Sequence, residues 1–198
     1  MNADAPFADL PIEFVGSFPD PTHQLNPAQP EIGFLGRSNV GKSSLMNALV
    51  GRKIAKTSAT PGKTQLLNVF RFPQFYFLDL PGYGYARASA ANRTGFRRLV
   101  EAVIRRREQL AGVVWLLDIR HPPSRDDLTI RQLLGGAEVP AVLALTKADK
   151  LSRARQLAAR ALRSEEIAVA ESELVVTSST AGTGLDQLAA RILGLVRN

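Results

Sequence analysis

The segment Gly36-Arg37-Ser38-Asn39-Val40-Gly41-Lys42-Ser43 decides the fold. It fits the pattern G-x-x-x-x-G-K-[ST], and its setting matters more than the string. The apolar run Ile32–Leu35 precedes it, and the helical pattern Ser43-Ser44-Leu45-Met46-Asn47-Ala48-Leu49 follows. A strand that feeds a glycine-rich turn into a helix N-terminus leaves backbone N–H groups facing outward, where they bind anions. Gly36 and Gly41 permit dihedrals and close approach that a Cβ would obstruct. Lys42 is placed to reach the β- and γ-phosphates of a nucleotide, and the Ser43 hydroxyl to coordinate Mg²⁺, with Ser44 completing the cradle. A chance turn carrying a surface lysine would lack this strand–turn–helix context.

Downstream, Phe75-Tyr76-Phe77-Leu78-Asp79 is an apolar strand ending in an acid, followed by Leu80-Pro81-Gly82. Asp79 can hold the magnesium shell opposite Ser43, and Gly82 leaves room for its N–H to meet a γ-phosphate. Between the two motifs lies Thr60-Pro61-Gly62-Lys63-Thr64. A loop threonine here could give its hydroxyl to Mg²⁺ only while the third phosphate is present, so the loop would report nucleotide state. Thr60 and Thr64 both qualify.

A second apolar run, Ala141–Leu145, leads into Thr146-Lys147-Ala148-Asp149. At the C-terminal end of a parallel strand these side chains face the ligand crevice. The Asp149 carboxylate can accept from both N1–H and the 2-amino group of guanine. Adenine has neither donor, and a site left with an unpaired polar group rejects such an analogue strongly. The stem of Lys147 would lie along the nucleotide and Thr146 would brace the loop. Val175-Val176-Thr177-Ser178-Ser179 repeats the strand-then-polar-loop pattern, so N–H groups near Ser179 could meet the guanine O6.

Around these motifs the chain alternates strands and helices. Strands are expected at 12–18, 31–36, 65–72, 75–79, 113–118, 141–146 and 174–177. Helices are expected at 43–50, 93–109, 125–134, 153–163 and 184–196. Continuous apolar strands covered on both faces, joined by right-handed helical crossovers, predict an α/β fold. The class is a three-layer P-loop NTPase, small-GTPase-like, with a mostly parallel sheet and helices on both faces. Six prolines between Pro6 and Pro30 predict a flexible lead-in over residues 1–10. Residues 11–198 form a single nucleotide-binding domain, with 12–18 at a sheet edge.

Composition narrows the function classes. The 198 residues carry 25 Lys+Arg against 18 Asp+Glu, a net charge of +7, which favours polyanion partners. There is no cysteine, which excludes disulfides and thiol chemistry. Residues 1–10 lack a signal-peptide pattern and no apolar run is long enough to span a bilayer, so a cytoplasmic monomer without a membrane span is expected.

With these segments in order, the chain resembles the EngB (YihA/YsxC) family of TRAFAC-class bacterial GTPases. The resemblance is carried by GRSNVGKSSLMNAL at Gly36–Leu49, TPGKTQLLNVF at Thr60–Phe70, DLPGYGYA at Asp79–Ala86, LLDIRHPP at Leu116–Pro123 and TKADKL at Thr146–Leu151. It implies binding of GTP and GDP, with Mg²⁺ held by Ser43 and Thr64. It also implies a part in large ribosomal subunit assembly, contact with ribosomal RNA, and a requirement in cell division and septation. The alignment of TPGKTQ selects Thr64 over Thr60, so the catalytic set is Lys42, Thr64, Gly82 and Asn39.

Related GTPases with asparagine at the position of Asn39 can bind K⁺, and many carry glutamine where Tyr83 stands. Tyr83 cannot orient water as an amide does, so unassisted turnover should be slow. Arg93, Arg97, Arg98, Arg105, Arg106, Arg107, Arg153, Arg155, Arg160 and Arg163 are candidates for RNA phosphates. Competing readings are a GTP-gated RNA-binding module with negligible catalysis, a septation switch that contacts no RNA, and an ATPase.

Overall fold

The computed structural model describes residues 4–55, 66–84 and 90–197. Seven strands form one sheet: β1 (Glu13–Phe18), β2 (Glu31–Gly36), β3 (Leu67–Arg71), β4 (Tyr76–Asp79), β5 (Leu110–Asp118), β6 (Ala141–Thr146) and β7 (Leu174–Val176). Their order is β1-β3-β4-β2-β5-β6-β7. From β4 to β7 the pairs are parallel, while β3 pairs antiparallel with both β1 and β4. The direction of strand addition reverses at β2, which neighbours β4 on one side and β5 on the other. Its C-terminal end is therefore the crevice where open α/β sheets take ligands.

Helices α1 (Lys42–Leu49), α2 (Ala90–Arg106), α3 (Arg125–Gly136), α4 (Arg153–Ile167) and α5 (Leu185–Arg197) cover both faces. On one face Leu45, Met46 and Leu49 of α1 and Leu188 and Ile192 of α5 pack over Phe34, Phe77 and Val114. On the other, Leu99, Val100 and Val103 of α2, Ile130 of α3 and Ile167 of α4 pack over Tyr76, Leu78 and Trp115. These α2 positions recur at helical spacing, and Arg97, Arg98 and Arg105 occupy the exposed side. All six residues of β2 are buried, which explains its unbroken apolar pattern. Glu31 is the exception in polarity, and Arg107 answers it through two nitrogens at 2.5 and 2.6 Å.

Two expectations differ from the structure. The lead-in is not loose from Ala5 onward: Phe7 is 2% exposed, packs edge-on against Phe72, Phe75 and Phe77, and donates its N–H to Leu49 O at 2.9 Å. An aromatic plug under the α1 side of the sheet outweighs the neighbouring prolines. The basic list also shortens. Arg107 is buried against Glu31 and donates to Pro21 O and His23 O, Arg163 is buried beside Glu166, and Arg160 is bonded to Glu171 O. None of the three is free for a polyanion.

Candidate functional site

The loop Gly36–Lys42 leaves the end of β2 and enters α1 directly. Its backbone turns through left-handed conformations at Asn39 (φ 63°) and Gly41 (φ 107°). Glycine and asparagine tolerate that region best. Gly41 is the helix N-cap without any side-chain cap, so the first-turn N–H groups of Lys42, Ser43 and Ser44 keep their anion-binding capacity. Val40 is buried, whereas Arg37 and Asn39 are exposed.

Asp79, at the end of β4, is 7% exposed. The Lys42 ammonium lies against its Oδ1, and Asn68 Nδ2 donates to Oδ2 at 3.2 Å. A buried carboxylate beside the phosphate loop with a cation against it is a site built for positive charge. Asn68 sits opposite Asp79 in the antiparallel register of β3 and β4; it falls within TPGKTQLLNVF, but the sequence assigned it no role. After Asp79, Leu80 is buried in the α2 face and its N–H donates to Phe34 O at 3.3 Å. Pro81 then brings Gly82 onto Ser38, where a Cβ would sit 3.0 Å from the Ser38 nitrogen. Only glycine fits there. Thr60, Gly62, Lys63 and Thr64 lie outside the described residues.

The third part of the site comes from the ends of β6 and β7. Thr146 Oγ1 donates to Val40 O at 2.7 Å, tying this loop to the phosphate loop. Lys147, itself left-handed (φ 63°), reaches across to donate to Asn39 O at 2.6 Å. Ala148 is buried and its N–H donates to Thr177 O at 3.1 Å. Ser178 Oγ donates to Asp149 Oδ1 at 2.8 Å. That hydrogen bond, then the Lys150 ammonium at 3.0 Å, holds the Asp149 carboxyl below its ordinary pKa. The carboxylate is ionised and aimed before any ligand arrives. Ser179 lines a cleft of about 650 Å³ with Ser44, Asn47, Arg52 and Lys53.

Asp118, the last residue of β5, is the largest omission of the motif reading. It accepts from Lys147 Nζ at 2.9 Å and from Arg120 at 2.9 and 2.7 Å. The Lys147 ammonium is thereby held between two oxygens, one from Asp118 and one from Asn39. The available signal was an apolar strand closing on an acid, as β4 closes on Asp79. Phosphate loop, Asp79, Lys147, Asp149 and Ser178 thus meet along one edge of the sheet.

The chain matches the family described as 50S ribosome-binding GTPase over residues 31–147. It is 43% identical to the probable GTP-binding protein EngB of Syntrophomonas wolfei over 169 residues, 84% of this chain and 87% of the relative. To the corresponding protein of Geobacter sp. (strain M21) it is 42% identical over 186 residues, 93% of this chain and 87% of that one. The crystal structure of a probable GTP-binding protein EngB shares the fold with a TM-score of 0.71 at 23% identity, covering 84% of this chain and 98% of that one. Aquifex aeolicus Era bound to GDP and AlF₄⁻ superposes with a TM-score of 0.67 at 25% identity, over 84% of this chain and 56% of that one. This chain belongs to the EngB family of GTP-binding proteins and is a GTPase.

Proposed function

We propose that the protein is a Mg²⁺-dependent GTP switch in the cytoplasm that acts on large ribosomal subunit assembly, and through it on cell division and septation. The observation that carries the nucleotide reading is the pre-aimed Asp149–Ser178 pair on the same sheet edge as the uncapped α1 N-terminus. Asp149 accepts the two guanine donors, and the N–H groups of the phosphate loop with Lys42 bind the triphosphate. Mg²⁺, when bound, supplies positive charge to the phosphate oxygens. Ser43, Thr64 and Asp79 would hold it, and the buried oxygen donor of Asp79 suits a hard cation.

The ribosomal reading rests on the family description and on the basic surface. Arg97, Arg98, Arg105 and Arg106 are exposed along α2, the helix that follows the Gly82–Tyr83 segment. Co-sedimentation with purified large subunits tests it. Binding should depend on the GTP analogue over GDP and weaken as salt rises. Binding in neither state would contradict the proposal.

A GTP-gated RNA-binding module whose intrinsic catalysis is negligible without a partner is a second reading, favoured by the buried side chain of Tyr83, which leaves no amide after Gly82 to orient water. Single-turnover hydrolysis with and without subunits separates the two. Asn39 is proposed to help bind K⁺: hydrolysis should be faster in KCl than in NaCl, and equal rates would discard that role.

A further inference from the structure

Tyr83 follows Gly82 directly, yet its side chain enters the core on the α2–α3 face of the sheet. It is 4% exposed, and its ring meets Phe96 of α2 at 5.4 Å. The hydroxyl donates to Asp127 Oδ1 at 2.6 Å and accepts from Trp115 Nε1 at 2.9 Å. Asp127, 2% exposed, accepts at its other oxygen from the N–H and hydroxyl of Ser124 at 2.7 and 2.6 Å. Its carboxyl oxygens are thus both hydrogen-bonded in the first turn of α3.

The main chain of Tyr83 is bound on the opposite side. Its carbonyl accepts from Ser38 N–H at 2.7 Å, and its N–H donates to Gly36 O at 3.3 Å. Gly82 comes immediately before these attachments, so close to the phosphate loop that a Cβ would stand 2.9 Å from Ser38 Oγ. The turn is strapped to the phosphate loop by backbone and pinned to α3 by a side chain.

We propose that Tyr83 is a positioning residue for GTP hydrolysis: its hydroxyl, fixed between Asp127 and Trp115, holds Gly82 where the glycine N–H meets the third phosphate. This rests on the nucleotide reading above. Phosphoryl transfer depends on placement, so a slackened donor costs rate before it costs binding. A charge-assisted bond in a dry core constrains a loop more tightly than ring packing alone. GDP lacks the third phosphate, and its affinity does not depend on the anchor.

The test is Tyr83→Phe in the full chain, which keeps the ring and removes the hydroxyl. The variant's kcat should fall on the order of tenfold, with KM and GDP affinity within about twofold. Trp115 is the sole tryptophan, so its emission should shift when its acceptor is lost. Asp127→Ala, which also removes the bonds to Ser124, should lower kcat as well, and adding Tyr83→Phe to it should lower kcat no further, because their shared contact is already gone. Unchanged kcat in Tyr83→Phe, identical Trp115 emission or additive losses would overturn the anchor while GDP binding persists. Failure of the wild-type chain to bind GDP would remove the nucleotide reading, and the anchor with it.

Discussion

At the scale of single residues, Asp118, which stands in LLDIRHPP but was given no role there, shows how one charge holds another in place. Burial favours its neutral form, but hydrogen bonds from Arg120 and Lys147 outweigh this and hold its carboxyl far below the ordinary range. A carboxyl whose folded pKa is depressed contributes stability above its unfolded pKa of about 4, and that stability is lost as pH falls from there toward the folded value. Thermal melts of the nucleotide-free protein should therefore drop below about pH 4, and Asp118→Asn should show a smaller drop over the same window. A parallel fall in both proteins would contradict the assignment. Asp149 follows the same sign, so guanine recognition should not weaken on mild acidification.

At the scale of elements, Phe7 ties the chain's beginning to the α1 side of the core. Removing a fully buried phenylalanine leaves a cavity, so Phe7→Ala should cost about 3–5 kcal/mol in urea unfolding. GDP affinity of the folded fraction should be unchanged. A loss below about 0.5 kcal/mol, the scale of an ordinary surface substitution, would mean the plug is not seated in solution.

The contrast between elements explains what could be read beforehand. β2 and β6 were legible to the residue because each is a continuous apolar run closed by a motif, and burial on both faces leaves that pattern no alternative. β5 starts at Leu110 rather than Val113, since Ala111 and Gly112 carry little strand signal. Phe7 was hidden among prolines and acids, which mark turns but say nothing of a ring reaching back to Phe77. The positions of the phosphate loop, Asp79 and Asp149 at or just after strand ends were legible because each follows a continuous apolar run. The parts played by Asn68, Asp118 and Asp127 were not, because only the assembled sheet brings them to Asp79, Lys147 and Tyr83. Arg107 misled for the same reason: its partner Glu31 begins a strand far earlier in the chain.

At the scale of the whole molecule, the sheet gathers three separate loops along one edge. No described helix is long and apolar enough to cross a membrane. Hydrogen bonds from Thr146 to Val40 and from Lys147 to Asn39 tie the loop after β6 to the phosphate loop, so the proposed base and phosphate contacts belong to one connected unit. In the function proposed, selectivity resides in Asp149, and phosphate affinity in Lys42 and the α1 N-terminus. Isothermal titration of the wild-type chain with GDP and ADP, alongside Asp149→Ala and Lys42→Ala, tests this division most directly. GDP should bind at least about a thousandfold more tightly than ADP, Asp149→Ala should erase most of that preference, and Lys42→Ala should weaken both nucleotides. Equal uptake of GDP and ADP by the wild-type protein would contradict it.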